Sequence, residues 1–138
     1  MDVSVRTTSY GAEKRGWLQG DHGTGPGDTP SITLDISTFT AGTHYPNGYI
    51  PSGTVVCKIT ASGLFGPYDS GAADGRQTPA AGAVFLLFNS VPVASGQTRD
   101  LNAGFMHGFV ESARLPFQSG SGSAAAAVKT AMPLVAWL

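Results

Sequence analysis

Three histidines, a single cysteine and a set of loop aspartates are the residues here whose types could do chemistry. His22, His44 and His107 are scattered, and none has the i,i+4 or H-x-H spacing of a zinc site. His107 is flanked by bulky apolar residues in a strand-like run, which reads as a satisfied, half-buried histidine, while His22 sits in a Gly-rich linker and reads as solvated. Cys57 falls between Val56 and Lys58 in a β-branched segment. A cysteine nucleophile needs a neighbouring histidine and a positive environment; a thiol within such a strand reads as a buried structural residue. Asp69, Asp74 and Asp100 lie on Gly-rich loops and raise the question of calcium. The run 69–75 (DSGAADG) lacks the dense oxygen ligands and the closing glutamate of an EF-hand loop, so these acids read as turn formers. Gly20, Gly23, Gly25 and Gly27 mimic a phosphate loop in spacing, yet no strand precedes them and no helix follows. No G-x-S-x-G, P-loop or Rossmann fingerprint is present. The expectation is a protein that is not an enzyme and takes no cofactor or metal.

Composition points the same way. At 138 residues the chain is one domain long enough to bury a sizeable core. A net charge of −1 gives no electrostatic footprint for nucleic acid or an anionic membrane. Only 12% of residues are charged, while glycine reaches 19 and proline 9, a balance that suits a loop-rich β domain with much of its surface in protein contacts. One cysteine excludes an internal disulfide. The N-terminus MDVSVRTTSYG lacks the apolar segment of a signal peptide, and no apolar run approaches the ~18–20 residues of a membrane helix. The expectation is a soluble protein with no membrane partner.

The elements that would position these residues follow from periodicity. Residues 1–30 read as an N-terminal arm and flexible linker, with Trp17 and Leu18 as the first anchor and QGDHGTGPGDTP as the linker. The alternation Ile32, Leu34, Ile36 is the cleanest half-buried strand. Further strands are predicted near 53–60, 64–68, 83–88, 104–111 and 134–138, with a surface loop over 95–102. Tyr45 and Tyr49 are expected to pack beside Ile50. Ser123 is expected to cap a short helix over 124–131, the alanine-rich run that Met132-Pro133 ends. The predicted fold is mainly β: a small single-domain barrel or sandwich with one short C-terminal helix and an extended N-terminal arm, its β-rich body spanning 31–138. The predicted core is Ile32, Leu34, Ile36, Val55, Cys57, Ile59, Val84, Leu86, Phe109 and Val135.

The central stretch carries a resemblance. A Gly-Thr-Val strand (residues 53–58, GTVVCK), a hairpin (62–69, SGLFGPYD), a loop (74–83, DGRQTPAAGA) and an apolar strand (84–88, VFLLF) follow one another in an order similar to the head decoration proteins of tailed bacteriophages, the lambda D-like group. The resemblance extends over about two thirds of the chain, including the short helix feeding a terminal apolar strand. It implies a structural capsid cement protein on the outer surface of the virion, made in the host cytoplasm. Its partners would be the major capsid protein and two further copies of itself, as a homotrimer at three-fold and quasi-three-fold positions of the expanded head. The N-terminal region is longer than compact members carry. Val3, Ser4, Val5, Arg6, Thr7 and Thr8 have strand chemistry without a nearby partner in sequence, and are expected to be the capsid-binding segment. The alternative reading is a carbohydrate- or receptor-binding β-module of a phage tail or surface protein, which would need an exposed aromatic platform; Trp17 and Tyr45 are the candidates.

Overall fold

The computed structural model describes residues 15–25 and 27–138. Among the described residues, nine short strands dominate: β1 (Ser31–Asp35), β2 (Tyr49–Ile50), β3 (Val55–Lys58), β4 (Phe65–Pro67), β5 (Val84–Leu87), β6 (Val91–Pro92), β7 (Arg99–Phe105), β8 (Gly108–Val110) and β9 (Val135–Trp137). Two short helices join them, α1 (Ala41–His44) and α2 (Ala126–Ala131). The fold is mainly β and a small single domain, as the sequence predicts; the described residues hold α1 besides the one short C-terminal helix expected. Strands β1, β4, β3, β5 and β7 close into a barrel in that order. Two small ribbons, β2 with β6 and β8 with β9, lie outside it.

The barrel explains why β3 and β5 are apolar without interruption. Val56, Phe85 and Leu87 join Ile32, Leu34, Ile36, Phe65 and Val91 in one core cluster. Val55, Cys57, Val84 and Leu86, on the alternate positions of the same strands, join a second cluster with Trp17, Phe105, Val110, Val128 and Val135. Both faces are buried, so an alternating pattern would leave polar groups dry. The proline of β6 is tolerated because that strand pairs only with β2, leaving an edge where no ladder donor is needed.

Four expectations are corrected. Residues 99–102, read as loop, form most of β7, which pairs with β1 from Ser31↔Ala103 to Asp35↔Arg99. Before the buried Phe105 at its end, the buried positions of β7 are Asn102 and Gly104 while Leu101 is exposed, so no hydrophobic period marks the start of the strand. Asn102 is buried and its amide donates to the Asn89 carbonyl at 2.8 Å. Gly104 lets the Phe85 ring lie on the backbone, where a Cβ would come within 2.8 Å of it. The single strand expected over 104–111 is broken into β7 and β8 at Gly108, whose φ of +138° ends the alternation. Phe105 and Val110 therefore share a core, and Phe109, expected inside, is 44% exposed. Ser123 does not cap α2: its hydroxyl donates to the Gly120 carbonyl at 2.6 Å, and the N-cap position is Ala125 without a side-chain hydrogen bond.

The boundary drawn at residue 30 also falls inside packed structure. Trp17 is 1% exposed in the second core cluster, and Leu18 bridges to Val110. The amide of Gln19 donates to the Phe109 carbonyl at 3.0 Å and that of Glu111 to the Trp17 carbonyl at 2.8 Å. The glycines that made the run look like a linker permit this fit. Gly23, with φ +81°, packs so tightly on the His107 backbone that any side chain would collide with it.

Candidate functional site

His44, Cys57 and the loop aspartates are placed apart, whereas His22 and His107 meet, and the buried Nδ1 of His107 has no hydrogen-bond partner among the described residues, against the expectation of a satisfied ring. His44 is buried; its Nδ1 accepts from the Thr40 backbone N–H at 2.9 Å and its Nε2 lies 3.2 Å from the Ser121 hydroxyl. An accepting Nδ1 puts the ring proton on Nε2, so the neutral ring both closes the single turn of α1 and reaches the loop before α2. Burial lowers the His44 pKa from its ordinary value, with Arg76 adding to the effect against the Ser121 hydrogen bond and Asp69. Cys57 is fully buried in β3, and that desolvation pushes its pKa up to about 12. A thiol so rarely ionised is a packing group, as its sequence context predicts.

His22 and His107 come together unexpectedly. Their rings are 4.7 Å apart at the centroids, and Phe109 lies 5.9 Å from His22. Asp28 stands 3.8 Å from Nε2 of His107. The spacing in sequence gave no hint of the pair, because the contact depends on the 19–25 segment folding back over β8.

Each aspartate is committed to its own loop. Asp74 receives Nε of Arg76 on both oxygens at 3.0 Å, and Nη1 of Arg76 reaches the Pro67 carbonyl at 3.3 Å. Burial raises the Asp74 pKa, but the hydrogen bonds and charge of Arg76 outweigh it and the net shift is downward. Asp69 accepts from the Gly71 amide at 2.9 Å, and Asp100 from the Gln97 side chain at 3.0 Å. Among the described residues, no group of three or more His, Cys, Asp or Glu is arranged to hold a metal ion, and no helix is long and apolar enough to cross a membrane. No family model, curated protein or solved structure matches the chain.

Two surfaces among the described residues are suited to contact. The first is an apolar face on the β8–β9 ribbon. These strands run parallel, with Phe109 opposite Ala136. Val135 turns inward, so Leu134, Ala136 and Leu138 turn outward and join Phe109 there. Phe109, Leu134 and Leu138 are 44%, 60% and 66% exposed, and the four side chains carry no charge. Below them the indole N–H of Trp137 is buried without a hydrogen-bond partner, and Lys129 Nζ lies 5.6 Å from the ring centroid. The sequence marked 134–138 as a strand and placed Val135 and Phe109 in the core. Only the break at Gly108 reveals that Phe109, Leu134 and Leu138 form a surface.

The second surface is a groove of about 350 Å³ beside the point where the described chain begins. Trp17, Tyr49, Pro51, Ser52, Arg114 and Pro116 line it. A hollow of about 170 Å³ shares Tyr49, Pro51 and Pro116 and runs on toward His44 and Phe117. Tyr49, expected to pack beside Ile50, is 41% exposed. Trp17 and Tyr45, the platform candidates, are respectively buried and half-buried against the two core clusters. The arm residues Val3, Ser4, Val5, Arg6, Thr7 and Thr8 lie outside the described residues.

Proposed function

We propose that the protein is a structural capsid decoration protein of a tailed phage, a cement subunit and not an enzyme. In this reading it binds the outside of the expanded head as a homotrimer at three-fold and quasi-three-fold positions, and stabilises the shell against internal DNA pressure. The observation that carries the reading is the uncharged outward face of Phe109, Leu134, Ala136 and Leu138. A contiguous apolar patch on a small domain of low charge is the kind of surface that protein assembly buries. The sequence pieces similar to the decoration proteins support it further: they form β3, β4 and β5, which are consecutive neighbours in the barrel wall. In the proposed assembly the β8–β9 face lies between copies, and Val3 to Thr8 add as an extended segment to a sheet edge of the major capsid protein. Three arms on one trimer would bind far more tightly than one, through effective concentration. The test is co-sedimentation with undecorated expanded heads, comparing the full chain with a variant lacking residues 2–14. The full chain is expected to pellet with heads; the shortened chain is expected to melt as the parent does and to stay in the supernatant. No binding by the full chain would overturn the reading.

A further inference from the structure

We propose that His107 and His22 form a proton-operated latch at the rim of the β8–β9 face, closed when both rings are neutral and released when they are charged. The ring of His22 lies 4.7 Å from that of His107 and 5.9 Å from that of Phe109, centroid to centroid. Gly23 packs on His107 so closely that a Cβ there would come within 2.7 Å of Nδ1. The same segment backs Phe109: the Gln19 amide donates to the Phe109 carbonyl at 3.0 Å, and a Cβ on Gly20 would touch the Phe109 ring at 3.8 Å. The latch therefore holds one of the residues that form the contact face.

The lever is the buried Nδ1 of His107, which has no hydrogen-bond partner among the described residues. An N–H there would be desolvated without an acceptor, so the neutral ring carries its proton on Nε2, which faces Asp28 at 3.8 Å. Charging the ring puts a second proton on Nδ1, under the Gly23 backbone. A donor in that place is unfavourable until the segment lifts and water reaches it. His22 is exposed, and its charge would stand beside the first. Asp28, half exposed, is the one carboxylate among the described residues paired with either ring, so it cannot offset two charges. Asp21 precedes His22 on the surface, and β8 and β9 bring no titratable side chain. Glu111 beyond β8 pairs with Arg114 at 3.3 Å, and Lys129 of α2 turns to the Trp137 ring at 5.6 Å.

The inference rests on the proposed function only for what the latch controls. A second copy covering the face would have to desolvate the charged rings, and a lifted segment no longer fixes Phe109. Acid is therefore expected to weaken the contact between copies.

Amide hydrogen exchange on the free full-length protein reports the latch whether or not the decoration reading holds. Protection of the Gln19 amide, taken against an unstructured reference at each pH, is expected to fall about tenfold from about pH 8 to about pH 5. The Leu87 amide, bonded to the Thr54 carbonyl at 3.0 Å, is expected to keep its protection. His107→Leu puts a group that takes no proton in the same place and should abolish the response. If that variant does not fold, the parent still decides: the His107 ring resonances must titrate over the pH range in which Gln19 loses protection. Gln19 protection that ignores pH, an undiminished response in His107→Leu, or a titration outside that range would overturn the inference. Co-sedimentation with undecorated heads at the same two pH values tests the consequence separately. Weaker binding by the parent at the lower pH is expected, and equal binding despite an opened latch would overturn the link to the face. A chain that binds heads at neither pH fails the decoration reading, while its exchange result still decides the latch.

Discussion

Trp17 stands edge-on to Phe105, with ring centroids 5.2 Å apart and planes at 76°. The pair ties the N-terminal segment to the far end of β7, and Trp17 Nε1 donates to the Ser52 hydroxyl at 3.2 Å, reaching β3's leading turn as well. Trp17→Ala removes a fully buried indole and leaves Ser52 short of a donor. It is expected to cost about 3–5 kcal/mol in denaturant unfolding. A loss below about 1 kcal/mol would mean the 15–25 segment is an accessory and not part of the core.

Gly108 sets the direction of β8. Its φ is +138°, and a Cβ there would lie 2.4 Å from the His22 carbonyl oxygen and 2.9 Å from the Phe105 ring. Gly108→Ala must both strain the backbone and displace the 19–25 segment. The expected loss is about 2–4 kcal/mol, with Tm falling accordingly. A variant as stable as the parent would contradict the tight crossing.

His44 makes stability depend on pH. Its pKa is depressed in the folded protein, so the unfolded chain takes up a proton first as pH falls. Its contribution is complete above about 6.5, declines as pH drops below that value, and levels off beneath the folded pKa. Protonating Nδ1 would set a donor against the Thr40 N–H. His44→Asn keeps an acceptor there without titrating, and is expected to flatten the fall in Tm between pH 7 and pH 5. An unchanged slope would place that pH dependence elsewhere.

Cys57 is expected to be inert. With the thiol fully buried and its pKa near 12, an aromatic disulfide reagent should leave native protein unmodified for hours and titrate one thiol per chain in denaturant. Rapid native labelling would reopen a nucleophilic role.

The β8–β9 face is expected to matter for assembly but not for folding. Phe109→Ser combined with Leu138→Ser alters two exposed side chains, so Tm should move little. The mass of the protein in light scattering and its co-sedimentation with heads should both fall. Full assembly by the double variant would remove this face from the interface.

Local chemistry in the sequence determined the strands that bury both faces or alternate cleanly. The runs 55–58 and 84–87 and the series Ile32, Leu34, Ile36 are apolar enough that few other structures could keep them dry. Cys57 and the loop aspartates were legible for the same reason, since each is explained by its immediate neighbours. The tertiary structure alone decided what depends on distant partners. Ahead of Phe105, the buried residues of β7 are Asn102 and Gly104, chosen by the Asn89 carbonyl and the Phe85 ring and not by hydrophobicity. A Gly-rich stretch with no periodicity became packed structure because Gly23 and Gly108 allow two backbones to touch. That same crossing turns Phe109 outward beside Leu134 and Leu138, so an apolar residue's place in core or contact face was set by one glycine dihedral, which no count of apolar residues encodes.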